Sequence, residues 1–76
     1  MEDLLAYLAK GLVDHPEEVS VDSYEENDAI VLELHVSEDD TGKVIGRSGR
    51  TVNAIRTVMR ACGTKQGRRV LVDVVD

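Results

Sequence analysis

The stretch that decides the fold is Val44-Ile45-Gly46-Arg47-Ser48-Gly49-Arg50. Two glycines stand three positions apart, with a cationic residue and a hydroxyl residue between them, and an apolar pair leads into them. After the second glycine, apolar residues recur at helical spacing, at Val52, Ile55, Met59 and Cys62. The pattern predicts a tight glycine loop between two helices.

The composition of this loop favours binding to phosphate. Glycine lets the backbone approach a ligand closely, and the following helix presents free N–H groups and the positive end of its dipole. Arg47 and Arg50 add positive charge and Ser48 adds a hydroxyl donor. We interpret Gly46–Gly49 as a contact point for a phosphate backbone; the alternative is a helix-turn-helix corner in which glycine merely closes the turn.

The loop departs from the known nucleotide-binding and catalytic motifs. The glycines that start at Gly42 lack the spacing and the terminal lysine of a Walker P-loop, and no strand leads in as a Rossmann fingerprint requires. The second residue after Ser48 is Arg50, where a nucleophile elbow needs glycine. His15 and His35 are isolated, and no Cys/His cluster has zinc spacing. We expect no enzymatic activity, cofactor, metal or small-molecule substrate.

Charge is divided between the two halves of the chain. Residues 1–40 hold thirteen acids and one base, a net of −12, whereas residues 41–76 hold two acids and eight bases, a net of +6. The asymmetry indicates either a basic working face or two ordinary solvated surfaces. Tyr7 and Tyr24 are the only aromatic residues, which argues against a binding site built on stacked aromatic platforms.

Hydrophobic periodicity predicts six elements in the order α-β-β-α-α-β. A helix at the start of the chain is expected to end near Asp14, because Pro16 disfavours helical angles at the residue before it. The remaining elements are predicted over residues 18–24, 29–36, 38–45, 50–61 and 70–75, with a polar loop over residues 63–67. With 76 residues, the chain is expected to form one domain over residues 1–76.

The single cysteine and the N-terminal sequence bear on location. Cys62 cannot form an internal disulfide and falls on an apolar stripe, so we expect a buried core thiol in a reducing cytoplasm. The acidic start of the chain does not resemble a signal peptide, and no apolar run approaches the length of a membrane span. We therefore expect no membrane association.

The residues Val44-Ile45-Gly46-Arg47-Ser48-Gly49-x-x-Val52-x-x-Ile55 resemble the signature of KH domains. That signature is an aliphatic pair, G-x-x-G, and aliphatic residues three and six positions after the second glycine. The length, the order of elements and the acidic first half are similar to small stand-alone bacterial KH proteins of the KhpA (YlqC) family. The resemblance implies an α+β fold, a type II KH domain with a three-stranded sheet and three helices packed on one face.

The resemblance also implies a function. The GXXG loop of KH domains clamps about four nucleotides, and the bases lie across an aliphatic groove. We therefore expect a cytoplasmic protein that binds single-stranded RNA, acting as an RNA chaperone or post-transcriptional regulator. It would work as a homodimer or as a heterodimer with a KhpB (Jag)-type RNA-binding protein. The alternatives are a protein-interaction module that dimerises through the GXXG surface, or a ribosome-associated factor.

The resemblance assigns site residues in three groups. Those expected to line the groove are Val44, Ile45 and Val52. Those expected at phosphate, with the loop glycines Gly46 and Gly49, are Lys43, Arg47, Ser48 and Arg50. Those expected in the variable loop that borders the groove are Lys65, Arg68 and Arg69. Arg56 and Arg60, one helical turn apart, either extend the basic face or are simply solvated.

Overall fold

The computed structural model of the protein describes residues 1–75, so Asp76 of the predicted domain lies outside the described residues. The elements are α1 (Glu2–Lys10), β1 (Ser20–Glu26), β2 (Ala29–His35), α2 (Thr41–Ile45), α3 (Arg50–Lys65) and β3 (Arg69–Val75). Short 3₁₀ turns cover Pro16–Glu18, Glu38–Asp40 and Arg47–Gly49. The predicted order α-β-β-α-α-β is confirmed.

The three strands form one mixed sheet in the order β1-β2-β3. β2 pairs antiparallel with β1 and parallel with β3, so that Leu32 lies opposite both Ser23 and Val72. Because β3 has a partner on one side only within residues 1–75, its other edge is free of strand pairing. This free edge forms one wall of the groove described below.

The core lies between one face of the sheet and the three helices. Leu32 and Leu34 project from β2 into it, and neither has exposed surface. Helix α1 contributes Leu5 and α3 contributes Met59 to the same cluster. The arrangement is the predicted three-stranded sheet with helices on one face. Within residues 1–75, no helix has the length and hydrophobicity that a bilayer crossing requires.

Helix α3 is longer than the sequence indicated, because Gly63 was taken for a helix end. It continues to Lys65, and Gly63 lies buried inside it. A Cβ at Gly63 would come within 2.5 Å of Val70 Cγ2 and 2.6 Å of the Arg68 carbonyl oxygen. Glycine therefore lets α3 lie directly against the start of β3. Cys62, expected in the core, is only half-buried.

Three further boundaries differ from the prediction, the first being that of β1, which covers Ser20–Glu26 instead of residues 18–24. Helix α1 ends at Lys10, four residues before Asp14, and a turn over Gly11 and Leu12 follows it. The predicted helix over residues 38–45 consists of a 3₁₀ turn and then α2. The two parts meet at Asp40, whose side chain is fully buried.

Candidate nucleic-acid interface

The glycine loop has a backbone that few residues other than glycine can adopt. The φ angles are +77° at Gly46, +57° at Ser48 and +76° at Gly49, all in the left-handed half of the map. A Cβ at Gly46 would lie 2.2 Å from Thr51 Oγ1 and 2.9 Å from the Thr51 nitrogen. The first turn of α3 is therefore packed against Gly46, and the loop cannot open without disturbing that helix.

Two backbone hydrogen bonds hold the loop in this conformation. Gly46 donates to the carbonyl of Gly42 at 2.9 Å, and Gly49 donates to the carbonyl of Gly46 at 3.2 Å. Arg47 and Ser48 lie between these two glycines, in the 3₁₀ turn that joins α2 to α3. Both residues are exposed. The loop thus presents a guanidinium and a hydroxyl to solvent, as a phosphate contact requires.

A groove begins beside this loop and follows the free edge of β3. Its lining residues are Ile45, Val52, Arg56, Asp73, Val74 and Val75. Ile45 is 38% exposed, and Val52 lies deeper. Arg56 Nε donates to the Val72 carbonyl at 3.1 Å, so that carbonyl points away from β2 and towards α3. The groove therefore combines an aliphatic wall with the unpaired polar groups of an edge strand.

One residue expected in the groove does not reach it. Val44 has no exposed surface and belongs to the hydrophobic core cluster. Successive residues of a helix point about 100° apart, so α2 can direct Val44 into the core while Ile45, the next residue, faces the groove. Val44 therefore supports the site by packing beneath it, and the expectation that it lines the groove is corrected.

Four arginines along α3 and its loop carry charge that no carboxylate neutralises. Within residues 1–75, no carboxylate oxygen lies within 4.0 Å of their guanidinium groups. These residues are Arg47, Arg50, Arg56 and Arg60. The sequence does not decide whether Arg56 and Arg60 extend the basic face, and the structure places both along the edge of β3. Helical spacing from Val52 to Arg56 was the signal that could have placed the latter at the groove.

Lys43 has a different environment. Its Nζ lies 3.0 Å from Asp14 Oδ2 and 3.7 Å from Asp40 Oδ1. The hydrogen bond to Asp14 and the charge of both carboxylates raise the pKa of Lys43. Its charge is therefore paired at the surface, next to the loop.

Asp40 organises this paired cluster. Its buried carboxylate accepts the backbone N–H of Asp14 at 3.2 Å and of His15 at 3.0 Å. Burial by itself would raise the pKa of Asp40, but these two donors, with the charges of His15 and Lys43, outweigh it and lower the pKa. The carboxylate thereby fixes the chain before the first 3₁₀ turn against the start of α2.

The other predicted cations lie at the far end of the groove. Arg68 forms an ion pair with Glu25 near the turn between β1 and β2. Lys65 and Arg69 are exposed at the end of α3 and the start of β3. These three cations and the glycine loop are near opposite ends of β3, whose length is roughly 20 Å. The structure thus brings Lys43, Ile45 and Val52 together with the loop but not Lys65, Arg68 or Arg69.

Comparison with known sequences gives a consistent result. The family described as KhpA/KhpB, KH domain matches residues 2–74. A protein of Halalkalibacterium halodurans named RNA-binding protein KhpA is 46% identical over 76 residues, which cover all of both chains. Proteins of the same name from Streptomyces coelicolor and Bacillus subtilis are 51% and 42% identical over the whole of this chain, covering 92% and 94% of theirs.

Comparison with solved structures supports the same fold. Aquifex aeolicus Era bound to GDP·AlF4⁻ superposes with a TM-score of 0.66 at 20% identity. Era in complex with MgGDPNP and nucleotides 1506–1542 of 16S ribosomal RNA superposes with a TM-score of 0.67. Both matches cover 96% of this chain but only 28% of Era, so they bear on the fold alone. The sequence resemblance and the type II KH fold expected from it are thus confirmed, and the chain belongs to the KhpA/KhpB family of KH-domain proteins.

Proposed function

We propose that the protein binds single-stranded RNA, with phosphates at the Gly46–Gly49 loop and bases in the groove along β3. The observation that carries the proposal is the exposed glycine loop, with positive φ angles at Gly46, Ser48 and Gly49, beside arginines that no carboxylate within residues 1–75 neutralises. The name RNA-binding protein KhpA, which its relatives bear, supports the same conclusion.

The groove favours single strands over duplexes. Ile45 and Val52 offer an aliphatic surface to the faces of bases, and the outward carbonyl of Val72 lies where a base edge can meet the strand. Bases in a duplex are stacked and paired, so neither surface can reach them. A protein that holds unpaired bases in this way, without catalysis, can act as an RNA chaperone or post-transcriptional regulator in the cytoplasm.

A salt titration with a labelled oligonucleotide tests the phosphate clamp. A loop that holds about four phosphates of a single strand gives a slope of log K against log salt near −3. Introducing Arg47→Asp and Ser48→Asp together places two acids against phosphate, and we expect affinity to fall at least about a hundredfold. Binding that is independent of salt, or unchanged in this variant, would overturn the proposal.

The matched control keeps the loop geometry without the negative charge. Asparagine, like aspartate, tolerates positive φ, so Arg47→Asn with Ser48→Asn leaves the backbone as it is. We expect this control to lose only the arginine contact and to bind more tightly than the acidic variant. A duplex of the same sequence is the second control. If it binds as well as the single strand, structured RNA is the target and the ribosome-associated alternative is favoured.

We further propose that the protein forms a homodimer through an apolar patch on its helical layer. The patch is lined by Leu8, Leu12, Thr51, Ala54, Ile55 and Val58. Leu12 and Val58 are more than 40% exposed, and a domain of this size gains stability by covering such surface. The patch does not include the Gly46–Gly49 loop, so dimerisation here leaves that loop open, unlike dimerisation through the GXXG surface.

Light scattering on the wild type and on Val58→Asp tests the homodimer. We expect twice the chain mass for the wild type and a monomer for Val58→Asp, because the substitution buries a charge at the interface. Thr57→Asp adds the same charge at the adjacent exposed position, outside the patch, and is expected to stay dimeric. A monomeric wild type contradicts a homodimer, and pairing with a KhpB-type protein then becomes the alternative.

A further inference from the structure

A second cavity, of about 330 Å³, lies on the outer side of the β3 edge, beyond the groove described above. Arg56 and Arg60 approach it from α3, and its apolar lining consists of Tyr24, Val31, Val70, Leu71 and Val72. Its volume is at the lower end of the range of small-ligand sites.

The apolar lining follows from the sheet register. Tyr24 is directly opposite Val31, and Val31 is directly opposite Leu71, so the three form a row across the strands. This row is on the face of the sheet that carries no helix, where Tyr24 is 42% and Leu71 46% exposed, whereas Val31 between them is buried and supports the two. The aromatic ring and its aliphatic neighbours offer a flat surface of the kind on which a planar ring stacks.

The polar lining is balanced in charge. Arg56 and Arg60 supply two positive groups, and Glu26 and Asp73 supply two carboxylates. No oxygen of these carboxylates lies within 4.0 Å of either guanidinium, so all four groups keep hydrogen-bonding capacity. Guanidinium groups match phosphate, and carboxylates accept hydrogen bonds from exocyclic amino groups of bases.

The phenol of Tyr24 completes the set of donors. Burial and then the nearby carboxylates of Glu33, Glu26 and Asp73 raise the pKa of Tyr24. The hydroxyl therefore stays protonated at neutral pH and remains a hydrogen-bond donor. The cavity thus offers a stacking surface, donors and acceptors in one place.

The cavity is continuous with the groove at the glycine loop. Arg56 and Asp73 line both spaces. Arg60 lies about 12 Å further along α3 than Val52, which is in the groove. An RNA strand that leaves the loop and follows the β3 edge therefore arrives at Arg56 and then at the cavity.

We propose that this cavity is an additional nucleotide subsite. It takes a base that bears an amino group, with the ring on Tyr24, the amino group at Asp73 or Glu26, and phosphate at Arg56 and Arg60. This inference rests on the proposed binding of RNA, which supplies the nucleotide as an extension of the clamped strand. A free nucleotide has the same chemistry, and the test below separates the two sources.

Tyrosine fluorescence reads occupancy of the subsite directly. The chain has two tyrosines and no tryptophan, so Tyr7→Phe leaves Tyr24 as the only tyrosine. Tyr7 is 76% exposed, so this change is not expected to disturb the fold. We expect an eight-nucleotide oligo(A) to quench the fluorescence of Tyr24 on binding. A four-nucleotide oligo(A) should bind, as measured by anisotropy, without quenching it. AMP alone is expected to leave the fluorescence unchanged.

Affinity measurements on variants provide an independent readout. We compare variants by the ratio of their affinities for the eight-nucleotide and the four-nucleotide oligomers. Both oligomers contact the loop, so a change in loop binding cancels in this ratio. We expect Tyr24→Ala to lower this ratio about tenfold, whereas Tyr24→Phe, which keeps the ring, preserves most of it. Asp73→Ala is expected to lower the ratio for oligo(A) and to leave that for oligo(U) unchanged, because uracil lacks an amino group.

The outcomes distinguish this proposal from the proposed function. Absence of quenching by the eight-residue oligomer, or an unchanged ratio in Tyr24→Ala, overturns the subsite while binding of the four-residue oligomer still supports the loop clamp. If the wild-type protein binds neither oligomer, the proposed clamp itself is overturned. Quenching by AMP with no further quenching by the long oligomer overturns the extended strand and identifies the cavity as a free-nucleotide site.

Discussion

The two ends of the five-residue helix α2 treat their polar groups in opposite ways. Before the helix, Asp40 takes two backbone N–H groups and lies 3.7 Å from the Lys43 ammonium, which is itself 3.0 Å from Asp14. After the helix, Arg47 and Ser48 are exposed, and no carboxylate oxygen within residues 1–75 lies within 4.0 Å of the Arg47 guanidinium. The first end is closed by its own contacts, and the second is open to a ligand.

This difference shows that the positive charge of a residue does not by itself decide whether it is available to bind a ligand. Lys43 and Arg47 are four residues apart and both follow the KH pattern, yet one is paired and the other is free. Substitution of a paired group should lower the stability of the fold, whereas substitution of an unpaired group should lower the affinity for RNA. Each of the following tests can break or sharpen that distinction.

The largest effect is expected for Gly46→Ala, which acts on the open end through its backbone. The new Cβ would overlap Thr51 at a φ of +77°, so we expect unfolding free energy to fall by roughly 3 kcal/mol or more. RNA binding should be lost as well. Gly42→Ala is the matched control, because a Cβ there meets no atom within 4 Å, and it should raise stability by about 0.5–1 kcal/mol. Urea unfolding measures both, and equal effects would contradict the strained loop.

The next largest effect compares arginines of the open end with the lysine of the closed end. Arg47→Ala and Arg50→Ala should each lower RNA affinity about tenfold and reduce the salt slope by about 0.7. Lys43→Ala should change affinity by less than about threefold, because its charge is already paired. Anisotropy titrations at several salt concentrations measure all three. If Lys43→Ala behaves like the arginine variants, pairing does not remove a cation from the binding surface.

A smaller effect is expected at the closed end from Asp40→Asn. The amide cannot accept both backbone N–H groups and carries no charge for Lys43, so Tm should fall by roughly 5 °C or more. Asp39→Asn, at an exposed neighbour, should leave Tm nearly unchanged. RNA affinity should stay within about twofold of the wild type at a temperature where both are folded. A large loss of affinity with an unchanged Tm would reverse the assignment.

The smallest effect is the dependence of stability on acidity. The pKa of Asp40 is lowered from its usual 3.8, so its carboxylate contributes stability that is fully present above that value. This contribution is lost as the pH falls below 3.8 through the pKa of the folded state. Between pH 5 and pH 3, the Tm of the wild type should therefore fall as the pH is lowered. The fall should be smaller in Asp40→Asn, which lacks the carboxylate. Parallel curves for the two proteins would show that Asp40 does not contribute to the acid dependence.

The local features of the fold could be predicted from the sequence. Alternation along β2 and the glycine spacing of the loop each express a rule that acts over a few residues, and both predictions are confirmed. The prediction that Gly63 begins a loop was wrong, because this glycine is required by a contact with a different element. It makes room for the side chain of Val70 in β3. The same limit applies to Val44, because only the rotation of α2 in the assembled fold decides which side faces the core.

The pairing of charges could not be predicted at all. Lys43 meets Asp14 from a segment 29 positions earlier, and Arg68 meets Glu25 from 43 positions earlier. Nothing in the residue types distinguishes these cations from Arg47 or Arg56. The row of Tyr24, Val31 and Leu71 likewise exists only through the register of three strands. A lone aromatic residue therefore gave no sign of a stacking surface.

The free edge of β3 has a further consequence, for the behaviour of the chain at high concentration. An unpaired edge strand is a template on which a second copy can add its own strand, the usual first step of aggregation. Arg56 covers the Val72 carbonyl at the middle of this edge, and Asp73 adds a charge at the next position. Together they interrupt the ladder that a foreign strand would need. Arg56 thus also protects the molecule against pairing of two copies through their β3 edges.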